Sequence, residues 1–174
     1  VWHLLTHRSG LPLTLLKSMD EHESLFDMAN AIGQAGPDTP IGERFWYSDA
    51  GTDALGAVVE VVARRKLNEF VEAELLVPLG MAESFYFIDD EDPRAENVAS
   101  LYIGAPGRWK RFSDPDEEAF YPFAWGSQSL YSTPLDYARF LGMWLAGGTV
   151  GATEILTPAG ISRTLTPVSE MTML

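Results

Sequence analysis

His3 and His7 stand four residues apart, a spacing at which two imidazoles on one helical face can hold zinc. The metalloprotease form of that pair needs a glutamate directly after the first histidine, and Leu4 occupies the place. His7 therefore reads as an anchor for the turn around Ser9 and Gly10. Two acidic runs, Asp89-Asp90-Glu91-Asp92 and Asp114 with Asp116, Glu117 and Glu118, lack the glycine and the alternating spacing of a calcium loop. They read as solvated loop charge, so neither a metal site nor a cofactor is expected. A serine hydroxyl needs a nearby base before it attacks a carbonyl. No serine here is followed three residues later by lysine, and no Gly-x-Ser-x-Gly elbow occurs. No lysine opens a Lys-Thr-Gly or Lys-Ser-Gly triplet, no His-x-Gly stands in for one, and no glycine-rich loop with a lysine could cradle phosphate. With no cysteine, thiolate chemistry and disulfides are out, while the compartment stays open.

The elements that must position any chemistry are mostly helical. Val1, Leu4 and Leu5, stopped by Ser9-Gly10 and Leu11-Pro12, describe the last turns of a helix. Leu25, Met28, Ala29 and Ile32 predict a helix over 20–33, broken from Pro37 to Gly42, with Arg44 to Ser48 as a short extended segment. Leu55, Val58, Val59, Val62 and Ala63 form an apolar stripe over 51–65. A further helix over 67–76 ends at Pro78-Leu79-Gly80. The stretch from Asp89 to Phe123 is rich in Asp, Glu, Pro and Gly, and reads as a long lid or loop with short strands. Thr133 then fits an N-cap, Pro134 the first helical position and Asp136 the reciprocal capping-box position, with Gly147-Gly148 as the stop. Thr157-Pro158 opens another helix by the same logic.

The totals limit the partners. Twelve basic against 25 acidic residues give a formal charge of −13 over 174 residues, which repels phosphate backbones and argues against nucleic acid. No apolar run approaches the roughly 18 residues a membrane span needs. Hydrophobic residues at 46% support a packed body. The chain opens without a basic, apolar leader, and both ends read as cut from a longer protein.

Four motifs carry a resemblance. His3-Leu4-Leu5-Thr6-His7-Arg8-Ser9-Gly10-Leu11-Pro12 resembles the HLLTHTSGLP signature of serine β-lactamase-like proteins, with Arg8 in place of a usual Thr. Pro40-Ile41-Gly42-Glu43-Arg44-Phe45-Trp46-Tyr47-Ser48-Asp49 is similar to the family's PGxxFxYSN element. Leu55-Gly56, Glu60 and Pro78-Leu79-Gly80-Met81 follow as in its LG…E…PLGM run, and Leu130-Tyr131-Ser132-Thr133 with Asp136 to Phe140 and Gly147-Gly148 matches its GLYST…DYARF…GG helix. The family named by these motifs spans class C β-lactamases, penicillin-binding proteins and family VIII esterases.

The resemblance implies an α/β (α+β) fold of the β-lactamase/DD-peptidase type, an antiparallel sheet flanked by helices. Residues 1–174 would form a partial domain, its mainly helical central part, with the Ser-x-x-Lys nucleophile motif upstream and the last strand motif downstream. It implies a serine hydrolase of small-molecule esters or β-lactam-type amides working through an acyl-enzyme, and a chain that is inert alone. Tyr47 matches the tyrosine that shares proton transfer with the lysine. Asp49 replaces the asparagine of Tyr-x-Asn; an ionised carboxylate accepts hydrogen bonds where the amide also donates, which tilts the expectation toward esters. Ser127-Gln128-Ser129 replaces a small glycine-rich run bordering the cleft, making Gln128 and Ser129, with Asp49, the candidate substrate-binding residues. The alternative is a non-catalytic binding or regulatory module that keeps the scaffold without the chemistry.

Overall fold

The computed structural model describes residues 1–15, 21–86, 91–113 and 121–168. Its helices are α1 (Trp2–Leu5), α2 (Leu25–Ala35), α3 (Asp49–Ala63), α4 (Leu67–Val71), α5 (Val77–Leu79), α6 (Pro134–Leu145) and α7 (Pro158–Thr164). Six short strands pair antiparallel: β1 (Phe85–Tyr86) with β4 (Leu130–Tyr131), β2 (Leu101–Ile103) with β3 (Lys110–Ser113), and β5 (Thr149–Val150) with β6 (Thr153–Glu154). Among the described residues the architecture is thus mixed α/β, with helices carrying most of the body. The acidic groups Asp89, Asp90, Asp114, Asp116, Glu117 and Glu118 lie outside the described residues.

Capping sets the helix starts. Ser24 Oγ accepts the Asp27 amide at 3.1 Å, so α2 begins at Leu25 rather than at residue 20. Ser48 Oγ accepts the Gly51 amide at 2.8 Å and Thr133 Oγ1 the Asp136 amide at 3.2 Å, starting α3 and α6. Arg44 to Ser48, expected to be extended, is irregular loop. Its Trp46 and Ser48 amides go to His7 and not to a strand partner.

Three expectations fail for identifiable reasons. The face that α3 buries is Ala50, Gly51, Asp53, Gly56 and Ala57, while Val62 is 78% exposed. A stripe drawn through the bulky residues missed it, because the closest approach is made by the smallest ones. A Cβ on Gly56 would stand 3.2 Å from the Gly126 Cα, and a Cβ on Gly126 only 2.2 Å from the Thr52 carbonyl oxygen. Asp136, read as a capping-box acid, is instead buried beside the first turn of α6. Its carboxylate accepts the Glu83 amide at 2.9 Å and the Ser84 hydroxyl at 3.0 Å, and pairs with Arg139. The 67–76 helix also runs further than its proline suggests. A π turn over Glu72–Leu76, closed by the Val77 amide on the Glu72 carbonyl, precedes α5. The wider turn carries the chain past Pro78, whose ring would clash with a regular helix carbonyl.

Leu25, Met28 and Ile32 of α2 pack with Ala57, Leu67, Tyr121, Ala124 and Trp125 in one core. A second core joins Leu76, Leu79 and Met81 to Met143 and Ile161. The candidate site sits on the first.

Candidate active site

The HLLTH-type segment and the tyrosine segment are laced together. The Arg8 carbonyl accepts the Gly42 amide at 2.8 Å, and Arg8 Nη2 donates to the Gly42 carbonyl at 2.5 Å. The Gly10 carbonyl accepts the Asp38 amide at 2.8 Å. Gly10 is at φ 74, and a Cβ there would lie 2.1 Å from the Thr39 carbonyl oxygen, so only glycine fits. The Leu13 carbonyl accepts the Asp49 amide at 2.9 Å. Ser48, wholly buried, donates its hydroxyl to the Pro12 carbonyl at 2.7 Å while capping α3.

This lacing presents Tyr47 at the N-terminus of α3, 54% exposed. His7 lies against it, ring centroids 4.6 Å apart, and Phe45 meets the other side of the histidine edge-on at 5.6 Å. The Asp49 carboxylate beside Tyr47 raises the phenol above its ordinary value, by favouring the protonated hydroxyl as a hydrogen-bond donor and by its negative charge. A phenol so held keeps its proton. To take one from a serine it needs a cation close by.

Gln128 and Ser129 form a second pair, and α3 joins it to the first. One turn beyond Asp49, the buried Asp53 carboxylate accepts the Ser127 amide at 2.9 Å and fixes the 124–129 loop on the helix. Burial holds Asp53 above the usual carboxylate range, against the hydrogen bonds it accepts. Gln128 is exposed, and its Oε1 accepts the Tyr121 hydroxyl at 3.1 Å. Ser129 is buried at φ 76; its hydroxyl accepts the Trp125 amide at 2.9 Å and donates to the Gln128 carbonyl. Ser129 thus shapes its loop, leaving Gln128 as the side chain of the pair that faces out.

Sequence reasoning passed over Asp53 as a functional residue. Its signal was there: a carboxylate at i+3 and i−4 to Ala50 and Ala57, on a face otherwise made of small residues. Among the described residues no group of three His, Asp or Glu is arranged to hold a metal ion, and no helix is long and apolar enough to cross a membrane.

Residues 1–171 match the family model described as Beta-lactamase. The solved penicillin binding protein from Bacillus halodurans superposes with a TM-score of 0.74 at 30% identity, covering 98% of this chain and 52% of that one. The D-amino acid amidase from Ochrobactrum anthropi SV3, complexed with L-phenylalanine, superposes at 0.68 with 21% identity over 91% of this chain and 44% of that one, a likeness of fold. Protein Rv1367c of Mycobacterium tuberculosis (strain ATCC 25618 / H37Rv) is 28% identical over 122 residues. The match takes in 69% of this chain and spans 30% of that curated relative.

Proposed function

The chain belongs to the Beta-lactamase family and has the β-lactamase/DD-peptidase fold, and from that premise we propose that it is the central part of a serine hydrolase acting on small-molecule esters. In the whole protein a serine from an upstream Ser-x-x-Lys motif attacks the ester carbonyl. Its proton passes to the Tyr47–lysine pair and on to the departing alcohol, and water then releases the acid from the acyl-enzyme. Tyr47 is the catalytic residue of this chain. Asp49 and Gln128 meet substrate, and Ser129 sets the loop that carries Gln128.

One observation carries the reading. The motif-matched tyrosine is exposed at the head of α3, with the Asp49 carboxylate as the neighbour that raises its phenol. The lysine supplies the cation that the described residues do not place beside the phenol, so the chain by itself is inert. A carboxylate at the third position of Tyr-Ser-Asp offers no N–H to an amide carbonyl, which favours esters over β-lactam-type amides. The same raised phenol also suits a second reading, a binding or regulatory module without chemistry.

The test is turnover by the full-length protein of a short-chain ester against a β-lactam. Faster turnover of the ester supports the proposal, and equal or faster turnover of the β-lactam overturns the ester preference. A parent gene without Ser-x-x-Lys, with no turnover of either, supports the module.

A further inference from the structure

We propose that His7 is the positioning residue for Tyr47, and that it holds the tyrosine only while Nδ1 carries no proton. The proposal rests on the catalytic reading of Tyr47 given above and extends it to the residue that aims the phenol. Three contacts from His7 bracket the tyrosine. Its carbonyl accepts the Trp46 amide at 2.7 Å, on the residue before. Its ring Nδ1 accepts the Ser48 amide at 3.3 Å, on the residue after. The ring itself lies on the Tyr47 ring at 4.6 Å, with the planes 31° apart. Backbone and side chain of one residue thus grip both flanks of the tyrosine and its face.

His7 makes these contacts at φ 50, in the left-handed region that non-glycine residues seldom occupy. Such a conformation is strained for a non-glycine residue and persists where surrounding contacts over-determine it.

The Ser48 bond fixes the tautomer. A backbone N–H can be accepted only by a bare ring nitrogen, so the neutral ring carries its proton on Nε2. Protonating Nδ1 would set one N–H against another. Among the described residues, three titratable or charged groups face the ring. Tyr47 stacks on it from the loop, Asp49 lies at the head of α3, and Arg163 of α7 shares the walls of a cleft of about 470 Å³ with His7, Trp2, Leu5 and Phe45. The Asp49 charge favours the imidazolium, but burial opposes it more strongly and holds His7 below its ordinary value. The brace is therefore complete at neutral pH and released on acidification.

Two variants of the full-length protein separate brace from bulk. His7→Asn keeps an oxygen acceptor near the place of Nδ1, tolerates the left-handed backbone and does not titrate in this range. His7→Phe keeps a ring on Tyr47 and loses the acceptor. Wild-type ester turnover is expected to fall on the acid side with the His7 titration, and His7→Asn to lose that limb. His7→Phe is expected to lower kcat by about tenfold or more with KM little changed, a cost in line with misplacing a reacting group. An acid limb unchanged in His7→Asn overturns the proposal. NMR gives a readout without catalysis: the Ser48 amide shift should follow the His7 ring titration. A Ser48 amide indifferent to it overturns the brace, even if His7→Phe does not fold. If the amide follows His7 while Tyr47→Phe remains fully active, the brace stands and the catalytic reading of Tyr47 falls.

Discussion

The Asp53 carboxylate accepts the Ser127 backbone amide at 2.9 Å across 74 residues of chain, and this bond seats the Gln128 loop on the helix that begins beside Tyr47. Asp53→Ala should leave that half-buried amide without this partner and cost about 1–3 kcal/mol, read as a lower urea midpoint. The pH dependence has a definite sign. Asp53 holds its proton to higher pH in the folded chain than its ordinary 3.8, so its contribution is fully present below that value and is lost as pH rises through the folded one. Asp53→Asn removes the effect. The wild-type midpoint minus that of Asp53→Asn should fall as pH rises above 3.8, and a flat or rising difference would contradict the buried placement.

Gly126→Ala tests the contact beneath the same loop. The new methyl would meet the Thr52 carbonyl oxygen at 2.2 Å, and that oxygen belongs to helix backbone, which cannot swing aside. Overpacking of this kind costs roughly 1–3 kcal/mol, visible as a lower Tm. Gly142→Ala is the control, since a Cβ there meets nothing within 4 Å.

Asp136 should prove more important to stability than its salt bridge suggests. Arg139, with its side chain 43% exposed, can turn to water when the carboxylate is removed. The half-buried Glu83 amide loses its acceptor, at roughly 1–3 kcal/mol for a donor left unsatisfied, and the Ser84 hydroxyl is left with Ser132 alone. Asp136→Ala is therefore expected to destabilise far more than Arg139→Ala in denaturant titrations.

Asp49→Asn should lower the Tyr47 phenol toward its ordinary value, because the carboxylate is the largest cause of the rise. Absorbance near 295 nm during an alkaline titration, with Tyr47→Phe as the subtraction, reads the change directly. In the full-length protein the same substitution should move the ratio of ester to β-lactam turnover toward the β-lactam, as the amide regains a donor.

The chain alone should take up no fluorophosphonate, judged by intact mass. Three of its buried serine hydroxyls are committed to structure: Ser48 to Pro12 and Gly51, Ser84 to Asp136 and Ser132, Ser129 to its own loop. A stoichiometric adduct at one serine would relocate the chemistry to that residue.

What the sequence disclosed follows from the range of the forces involved. Ser24, Ser48, Thr133 and Thr157 act on amides within three residues, and of these Thr133 and Thr157 were legible as helix starts from the Pro that follows each. Tyr47 stood out through its flanking motif. Asp136 looked like a cap because its local spacing fits one, while the partners that decide its role lie 52 and 53 residues away. The small-residue face of α3 was hidden for a related reason: periodicity weighs bulk, and here the absence of bulk makes the contact. Ser129 illustrates the limit from the other side, a polar residue that loops commonly expose, turned inward by a positive φ to tie its own turn.

The lacing of residues 7–13 to residues 38–49 bears on recombination among relatives. A crossover between Pro12 and Pro37 would take the strap from one parent and the tyrosine loop from the other. The backbone pairs would re-form from almost any donor, but the His7 ring, the Ser48 hydroxyl and the bare Cα of Gly10 each fit a specific counterpart across the seam. Residues 3–50 are thus a single unit of inheritance, and chimeras that move them as one block keep the tyrosine aimed.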